Sequence, residues 1–191
     1  MINHEHKYIF IHIPKTAGNS IKKTLMGNYE LVHRNIEEYE DSSDYFKFSF
    51  VRNPYNRLYS WIYESEQYNE YWKNIYPTRV EFNSFVRNEL YDFKTQYSYI
   101  KDKMNFVGRF ENLQEDFDTI CDIIGFKKGR LPHIMQSGHP DYYKNRYPMD
   151  KIFDKNKNYD YLRMYDNDVK ELVYAKYEIE DRKSTRLNSS H

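Results

Sequence analysis

Apolar residues in the first part of the chain form runs that are typical of buried strands. Residues 8–13 are almost wholly apolar and β-prone, which predicts a strand covered on both faces. Residues 46–51 place phenylalanines at every second position and predict another strand. Residues 105–110 indicate a third, shorter one. These three runs predict the centre of a sheet.

Helical stripes follow the predicted strands. Apolar residues spaced three or four apart predict helices that begin near Ile21, Tyr55, Phe82, Leu113 and Val169. Gly125 is expected to end the fourth of these helices, and residues 132–148 are typical of a loop. Because strands alternate with helices, we predict an α/β domain with a mostly parallel sheet.

The composition indicates a folded domain. A chain of 191 residues suits a single domain, and 29 basic residues balance 29 acidic ones, which argues against a nucleic-acid binder acting through bulk charge. The mean hydropathy is −0.99, yet 21 Tyr, 12 Phe and 2 Trp supply an aromatic core that disordered chains lack. The single cysteine, Cys121, excludes an internal disulfide and a cysteine zinc site, and it is expected in the core.

The two ends of the sequence carry expectations of their own. Residues 181–191 resemble a translated sequencing-library adapter, so we expect one domain over residues 1–180 that has lost its natural C-terminal segment. The chain has neither an apolar run of about 18 residues nor a signal-peptide core near Met1. We therefore expect a soluble, cytoplasmic protein that neither inserts into membranes nor binds nucleic acid.

The segment after the first predicted strand has the features of an anion site. Residues 14–20, P-K-T-A-G-N-S, lead from a buried strand to a helix N-terminus, where backbone N–H groups and the helix dipole attract anions. Gly18 would let the backbone approach a phosphate, Lys15 adds a cation, and Thr16 and Ser20 add hydroxyl donors. The alternative is an ordinary turn with a capping side chain.

A second candidate anion site follows the next strand. Arg52 is placed at the carboxyl edge of the sheet, where open α/β sheets bind ligands, and its planar guanidinium can bind a phosphate with two hydrogen bonds. Ser60, two turns along the following helix, could donate to the same group. We interpret Arg57 as a solvated or structural helix charge.

These two segments together resemble the nucleotide-binding motifs of the sulfotransferase superfamily. Residues 14–20 and residues 48–60, F-S-F-V-R-N-P-Y-N-R-L-Y-S, are most similar to the type-2 carbohydrate sulfotransferases, which include the heparan sulfate 2-O-sulfotransferases. Residues 96–100, Q-Y-S-Y-I, residues 107–117, V-G-R-F-E-N-L-Q-E-D-F, and residues 131–133, L-P-H, fit the same family. The resemblance implies a P-loop-like three-layer α/β/α domain with a mostly parallel central sheet.

The resemblance also implies an activity and a set of site residues. A sulfuryl group would pass in line from 3′-phosphoadenosine 5′-phosphosulfate (PAPS) to a hydroxyl of a glycan or similar acceptor, with 3′,5′-ADP as product and no metal. Lys15 would neutralise charge on the leaving group, while Arg52 and Ser60 would bind the 3′-phosphate. The residues implied around the 5′-phosphate are Lys15, Thr16, Ala17, Gly18, Asn19 and Ser20.

His33 is the candidate for the base that accepts the hydroxyl proton. It lies between the two motifs, in the interval where several members of the family place a catalytic histidine, and neutral imidazole can accept a proton near pH 7. A surface or capping histidine is the alternative. His12, in a predicted buried strand, is expected to be structural. Weaker candidates for a base or a ligand are His4, His6, His133, His139, Glu64 and Glu66.

Two other classes of function stay open at this point. A P-loop kinase would need a Walker-type G-K-[ST] and an acidic magnesium ligand at a strand end, and neither is evident. A degenerate nucleotide-binding or interaction module would keep the fold but lose the lysine or the base, whereas Lys15 and His33 are both present. Golgi members of the family carry an N-terminal membrane anchor, and this sequence shows no apolar run of that kind. We therefore expect a bacterial or viral enzyme.

Overall fold

A computed structural model gives a mixed α/β fold, which confirms the predicted fold class. The residues that it describes are 1–27, 33–39, 43–64, 78–132 and 160–188. They divide into two compact units. The first draws on Met1–Asn53, Lys94–Ile134 and the chain from Tyr177, and the second on Pro54–Phe93 and Met135–Lys176. The single domain over residues 1–180 and the adapter-like tail stay predictions.

The first unit contains a sheet whose strands run in chain order, and within the described residues it has four strands. The strands are β1 (Ile2–Asn3), β2 (Tyr8–Ile11), β3 (Phe46–Val51) and β4 (Phe106–Arg109). β2, β3 and β4 are parallel, and β1 pairs antiparallel with β2. The three predicted strands are therefore confirmed, although β2 ends two residues early. β1 was not predicted because two residues carry no hydrophobic period.

Five of the six helices in the described residues follow the predicted stripes, whereas the short helix at Tyr97–Ile100 was not predicted. The helices are α1 (Gly18–Met26), α2 (Pro54–Glu64), α3 (Arg79–Glu89), α4 (Tyr97–Ile100), α5 (Leu113–Ile124) and α6 (Asn167–Asn188). Short 3₁₀ turns lie at Ile36–Glu38, Leu90–Asp92, Phe110–Asn112 and Asp160–Met164. α5 ends as predicted where Gly125 adopts the left-handed conformation, with a φ of 67°.

None of the helices in the described ranges is long and apolar enough to cross a membrane. The predicted loop at 132–148 lies outside the described residues from residue 133 onward.

Apolar side chains cover both faces of the sheet, as parallel strands require. On one face, the rings of Phe10 and Phe48 stack with centres 5.1 Å apart, in a cluster that α1 and α5 complete. On the other face, Ile9 and Ile11 belong to a second cluster. Cys121 is fully buried in the first cluster, as predicted, and burial raises the pKa of its thiol to about 11.

The register of the sheet brings the two sequence motifs to one edge. β2 and β3 are neighbouring parallel strands, with Ile11 opposite Ser49, so their carboxyl ends lie side by side. The Ser49 hydroxyl reinforces this pairing by donating to the Ile11 carbonyl oxygen at 2.7 Å. The segments that begin at His12 and at Arg52 therefore leave the sheet together.

Side-chain hydrogen bonds hold the second unit together. The Tyr165 hydroxyl donates to the carbonyl oxygen of Tyr55 in α2 at 2.8 Å, and its ring meets Phe82 of α3 edge-on. The fully buried Asn83 donates to the Met164 carbonyl oxygen at 2.7 Å and accepts from the Asp166 N–H at 2.8 Å. These bonds fix α2 against α3 and the chain that leads into α6.

Candidate functional site

The backbone of the segment after β2 is unusual in two places. Lys15 and Ala17 both adopt the left-handed conformation, with φ of 68° and 65°. Each such residue with a side chain costs about 1–2 kcal/mol relative to the right-handed region. Two costly residues this close together mark a segment that the surrounding structure holds in place.

The helix after this segment begins earlier than the sequence predicted. The Ile21 N–H makes the first helical hydrogen bond, to the Ala17 carbonyl oxygen at 3.2 Å, so residues 18–20 form the first turn of α1 rather than a loop. Their N–H groups lie at the positive end of the helix dipole. The first turn has no acidic residue to neutralise that end. This arrangement is suited to an anion.

The side chains of this segment are buried to different degrees. Thr16 is fully buried, and its hydroxyl donates to the Ile13 carbonyl oxygen at 2.8 Å. In this arrangement the hydroxyl proton serves the fold, so the backbone amide of Thr16 is the group left for an anion, and a phosphate contact of the hydroxyl stays a prediction. Lys15 is half-buried, and Asn19 is buried with an Oδ1 that no described residue bonds.

Arg52 joins the two sequence motifs. Its Nη1 donates to the carbonyl oxygen of Lys15 at 3.0 Å, and its guanidinium carbon lies 4.0 Å from the ring centre of Phe110, within cation–π distance. The residue is only 5% exposed. A guanidinium stays charged under all ordinary conditions, so a permanent positive charge is buried beside the segment that carries Lys15.

The backbone around Arg52 is held by side chains from elsewhere in the chain. Gln96 accepts a hydrogen bond from the Arg52 N–H and donates one to the Arg52 carbonyl oxygen, both at 2.9 Å. Glu111 accepts one from the Asn53 N–H at 2.7 Å. Sequence reasoning found the segments of Gln96 and Glu111 only through the family resemblance and gave them no role. The structure shows that they fix the end of β3.

His33 and His12 lie in contact beside the same segment. His33 is exposed, and its Nδ1 lies 3.2 Å from the backbone carbonyl oxygen of His12. The centres of the two rings are 4.4 Å apart. Since a carbonyl oxygen can only accept, Nδ1 of His33 carries the hydrogen, and the neutral ring then has its lone pair on Nε2.

The ring of His12 is buried, as the sequence indicated. Burial lowers its pKa well below 6.5, and the nearby His33, Lys22 and the amino group of Met1 lower it further. The ring therefore stays neutral near pH 7. It also occupies the space that a Cβ at residue 18 would need, because such an atom would overlap His12 Cδ2 and Nε2. Gly18 has no positive φ, so His12 is the structural reason for glycine at this position.

Ser60 and Arg57 lie on α2 in the second unit. Ser60 is 2% exposed, and its Oγ has no hydrogen-bond partner in the described part of the chain. A buried hydroxyl of this kind is costly without a ligand or water. Arg57 is also 2% exposed, and its guanidinium lies 5.3 Å from the Trp61 ring centre. It is therefore not a solvated charge, whereas the structural interpretation fits its position.

The weaker histidine candidates serve local contacts or fall outside the described residues. The His4 ring hydrogen-bonds the Tyr45 hydroxyl at 2.7 Å, and the His6 ring bonds the carbonyl oxygen of Ile124 at 3.2 Å. The described ranges contain no group of three or more His, Cys, Asp or Glu side chains that could hold a metal. The candidates whose side chains lie outside the described residues are His133, His139, Glu64 and Glu66.

Comparisons with known proteins agree with the sequence resemblance. A family model described as "Sulfotransferase family" matches residues 1–180. Searches of curated proteins and of solved structures found no match.

Proposed function

The chain belongs to the sulfotransferase family, and we propose that it moves a sulfuryl group from PAPS to a hydroxyl of a glycan or similar acceptor. The observation that carries this proposal is the hydrogen bond from Arg52 to the Lys15 carbonyl oxygen. It joins the first motif, which is suited to one phosphate, to a buried cation that is suited to another. A donor with phosphate groups on both sides of its ribose needs such a pair.

The segment at residues 15–20 would bind the 5′-phosphosulfate. The first-turn amides of α1 and the cation of Lys15 supply positive charge, and the segment contains no carboxylate that would repel an anion. Residues 14–20 fit this group through backbone amides more than through hydroxyls, since Thr16 uses its hydroxyl proton within the fold. Lys15 would neutralise the charge that develops on the leaving group.

The 3′-phosphate distinguishes PAPS and 3′,5′-ADP from other adenine nucleotides. We assign it to Arg52 and Ser60. Arg52 is a buried, permanent cation whose backbone Gln96 fixes, and Ser60 has a buried hydroxyl for which the described residues supply no partner. The buried cation favours an anion at Arg52, and the hydroxyl separately favours a polar partner at Ser60.

His33 would act as the base. When bound, PAPS supplies the sulfuryl group. The acceptor oxygen forms a bond to the sulfur as the bond between the sulfur and the leaving phosphate oxygen breaks. The hydroxyl proton of the acceptor would pass to His33 Nε2, the atom left with a lone pair by the bond from Nδ1 to the His12 carbonyl oxygen. His33 is exposed, as a group that meets an acceptor must be.

Calorimetry with 3′,5′-ADP, 5′-AMP and ATP tests the donor site. The wild type should bind 3′,5′-ADP at least about tenfold more tightly than 5′-AMP, since a charge-assisted contact contributes about 1.5–3 kcal/mol. Arg52→Lys should reduce this ratio severalfold, and Ser60→Ala should reduce it less. Arg130→Ala and Ser84→Ala are the matched controls, because both side chains are exposed, and they should keep the wild-type ratio.

Three outcomes would contradict the donor assignment. Folded protein that binds none of these nucleotides would contradict a donor site altogether. Tighter binding of ATP in the presence of Mg²⁺ would favour a kinase instead. Equal loss of 3′,5′-ADP affinity in Arg52→Lys and Arg130→Ala would show that the loss is not specific to the site.

Transfer of labelled sulfuryl groups from PAPS to a panel of hydroxyl acceptors tests the activity. Lys15→Ala should lower kcat by about tenfold or more, while Lys23→Ala, an exposed lysine of α1, should leave it unchanged. His33→Ala should lower kcat by about 100-fold or more without changing 3′,5′-ADP affinity. Nucleotide binding without transfer to any acceptor would favour a degenerate binding module.

A further inference from the structure

The His12 ring lies between the anion-binding segment and the candidate base. On one side it fills the space above Gly18, where a Cβ would overlap it. On the other side its ring centre is 4.4 Å from that of His33, with 52° between the ring planes. It also stacks on Phe10 of β2, with 18° between the planes and 6.1 Å between the centres. Contacts with three residues, Gly18, His33 and Phe10, thus fix the orientation of this ring.

The backbone of His12 contacts His33 as well. Its carbonyl oxygen accepts the hydrogen bond from His33 Nδ1 at 3.2 Å. A free imidazole favours the tautomer with hydrogen on Nε2, which would have no lone pair on Nε2 to accept a proton. The carbonyl bond selects the other tautomer, and the ring contact limits how far the His33 ring can rotate away from it.

We propose that His12 is a positioning residue for His33: its carbonyl oxygen selects the Nδ1–H tautomer, and its ring, seated over Gly18, limits the rotation of the His33 ring. This inference rests on the proposed function for its catalytic meaning. The inference also gives a second reason for glycine at residue 18. This residue begins α1, and a Cβ there would overlap the His12 ring that orients the base.

Nitrogen-15 NMR of the histidine rings tests the geometry without any activity. The His33 signals can be assigned by their loss in His33→Ala. The wild type should show His33 as the Nδ1–H tautomer at a pH where the ring is neutral. His12→Phe keeps a flat ring over Gly18 and should preserve this tautomer, whereas His12→Ala removes the ring and should shift His33 toward the Nε2–H tautomer. The same tautomer in all three proteins, or Nε2–H in the wild type, would overturn the inference.

A double-mutant cycle tests the catalytic meaning. His33→Ala should lower kcat about 100-fold or more in the wild type but by less than about fivefold in a His12→Ala background, since the base is already misaligned there. The Michaelis constant for PAPS should change by less than about threefold in His12→Ala. An equal loss in both backgrounds would show that His12 supports the fold in general rather than the base, and would overturn the inference.

Gly18 supplies an independent check. Gly18→Ala should displace the His12 ring and weaken 3′,5′-ADP binding. Adding His12→Ala to that variant makes room for the new Cβ, so the double variant should recover nucleotide affinity while kcat stays low. Recovery of both would overturn the inference. If the wild type shows the NMR pattern but transfers no sulfuryl group, the proposed function fails while the placement of His33 by His12 stands.

Discussion

Arg52 holds the backbone of Lys15 through the hydrogen bond from its guanidinium Nη1 to the Lys15 carbonyl oxygen at 3.0 Å. Lys15 adopts the left-handed conformation at a cost of about 1–2 kcal/mol. A hydrogen bond to a charged group contributes about 1.5–3 kcal/mol, which is enough to offset that cost. The two candidate phosphate sites therefore depend on each other, and a substitution at one should change anion binding at the other.

Gln96 should matter to nucleotide binding although it lies outside both motifs. Gln96→Leu keeps the size of the side chain but leaves the buried N–H and C=O of Arg52 without their partners. We expect unfolding free energy to fall by about 2–4 kcal/mol and 3′,5′-ADP affinity to fall severalfold. Urea denaturation and calorimetry measure the two effects.

Gln114→Leu is the matched control for this change. Gln114 also bonds backbone groups, accepting from the Leu131 N–H at 3.0 Å and donating to the Gly129 carbonyl oxygen at 3.1 Å. Its loss should destabilise the protein and leave nucleotide affinity unchanged. If Gln96→Leu binds 3′,5′-ADP as the wild type does, the placement of Arg52 does not depend on Gln96.

Local patterns were sufficient to predict most of the fold. The bounds of α5 follow from one apolar stripe and the glycine after it, and β3 follows from phenylalanines at every second position. Both signals lie within the element itself, which is why the sequence was enough. β1 is too short to show any period, and α1 begins within residues whose polar character suggested a loop.

The candidate site depends on contacts between residues far apart in the chain. Gln96 lies 44 residues from Arg52, and His33 lies 21 residues from His12. No spacing rule connects such pairs, so the sequence could place Lys15, Arg52 and His33 as candidates but not find what holds them. The hydrogen bond from the Thr16 hydroxyl to the backbone was not predicted, because a hydroxyl in a loop can donate either to the backbone or to a ligand.

Replacing Ala17 with glycine should stabilise the protein. The φ of 65° at Ala17 is costly for alanine and not for glycine. Part of this gain is lost to the greater freedom of glycine in the unfolded chain, so we expect Ala17→Gly to raise Tm by about 1–4 °C. Ala175→Gly, in the exposed interior of α6, should lower Tm by about 2–4 °C. Thermal scans that show the same sign for both would contradict the strain at Ala17.

Stability should fall in mild acid because of His12. Its folded-state pKa lies well below 6.5 since burial and the nearby charges of His33 and Lys22 oppose protonation. The unfolded chain therefore binds a proton below about pH 6.5 that the folded chain does not, and stability is lost as the pH falls. Urea denaturation at pH 7.5, 6.5 and 5.5 should show this loss in the wild type.

His12→Phe should flatten that dependence, because phenylalanine has no proton to gain. His4→Phe is the control for replacing a histidine of the same unit with phenylalanine, since His4 is exposed. Equal slopes in the wild type and in His12→Phe would mean that other groups cause the acid sensitivity.

Cys121 should produce the opposite dependence in base. Burial, with a smaller effect of Asp118 and Asp122, raises the pKa of its thiol from 9.0 to about 11. Between these values the unfolded thiol loses its proton while the folded one keeps it, so stability falls as the pH rises above 9. One pKa unit corresponds to about 1.4 kcal/mol, and we expect a loss of about that size by pH 10 from this group.

Cys121→Ala isolates the thiol from the many tyrosines that also titrate in base. The variant should be less stable than the wild type at pH 8 because it leaves a small cavity in the core. The difference in unfolding free energy between the two proteins should shrink by about 1 kcal/mol at pH 10. Only the wild type has a thiol that ionises more easily in the unfolded chain than in the folded one. Tyr8 is present in both proteins; its pKa is raised to about 12, mainly by burial and less by Cys121, so it stays protonated in the folded wild type at pH 10. A difference that stays constant from pH 8 to pH 10 would show that the Cys121 thiol ionises equally in the folded and unfolded chains.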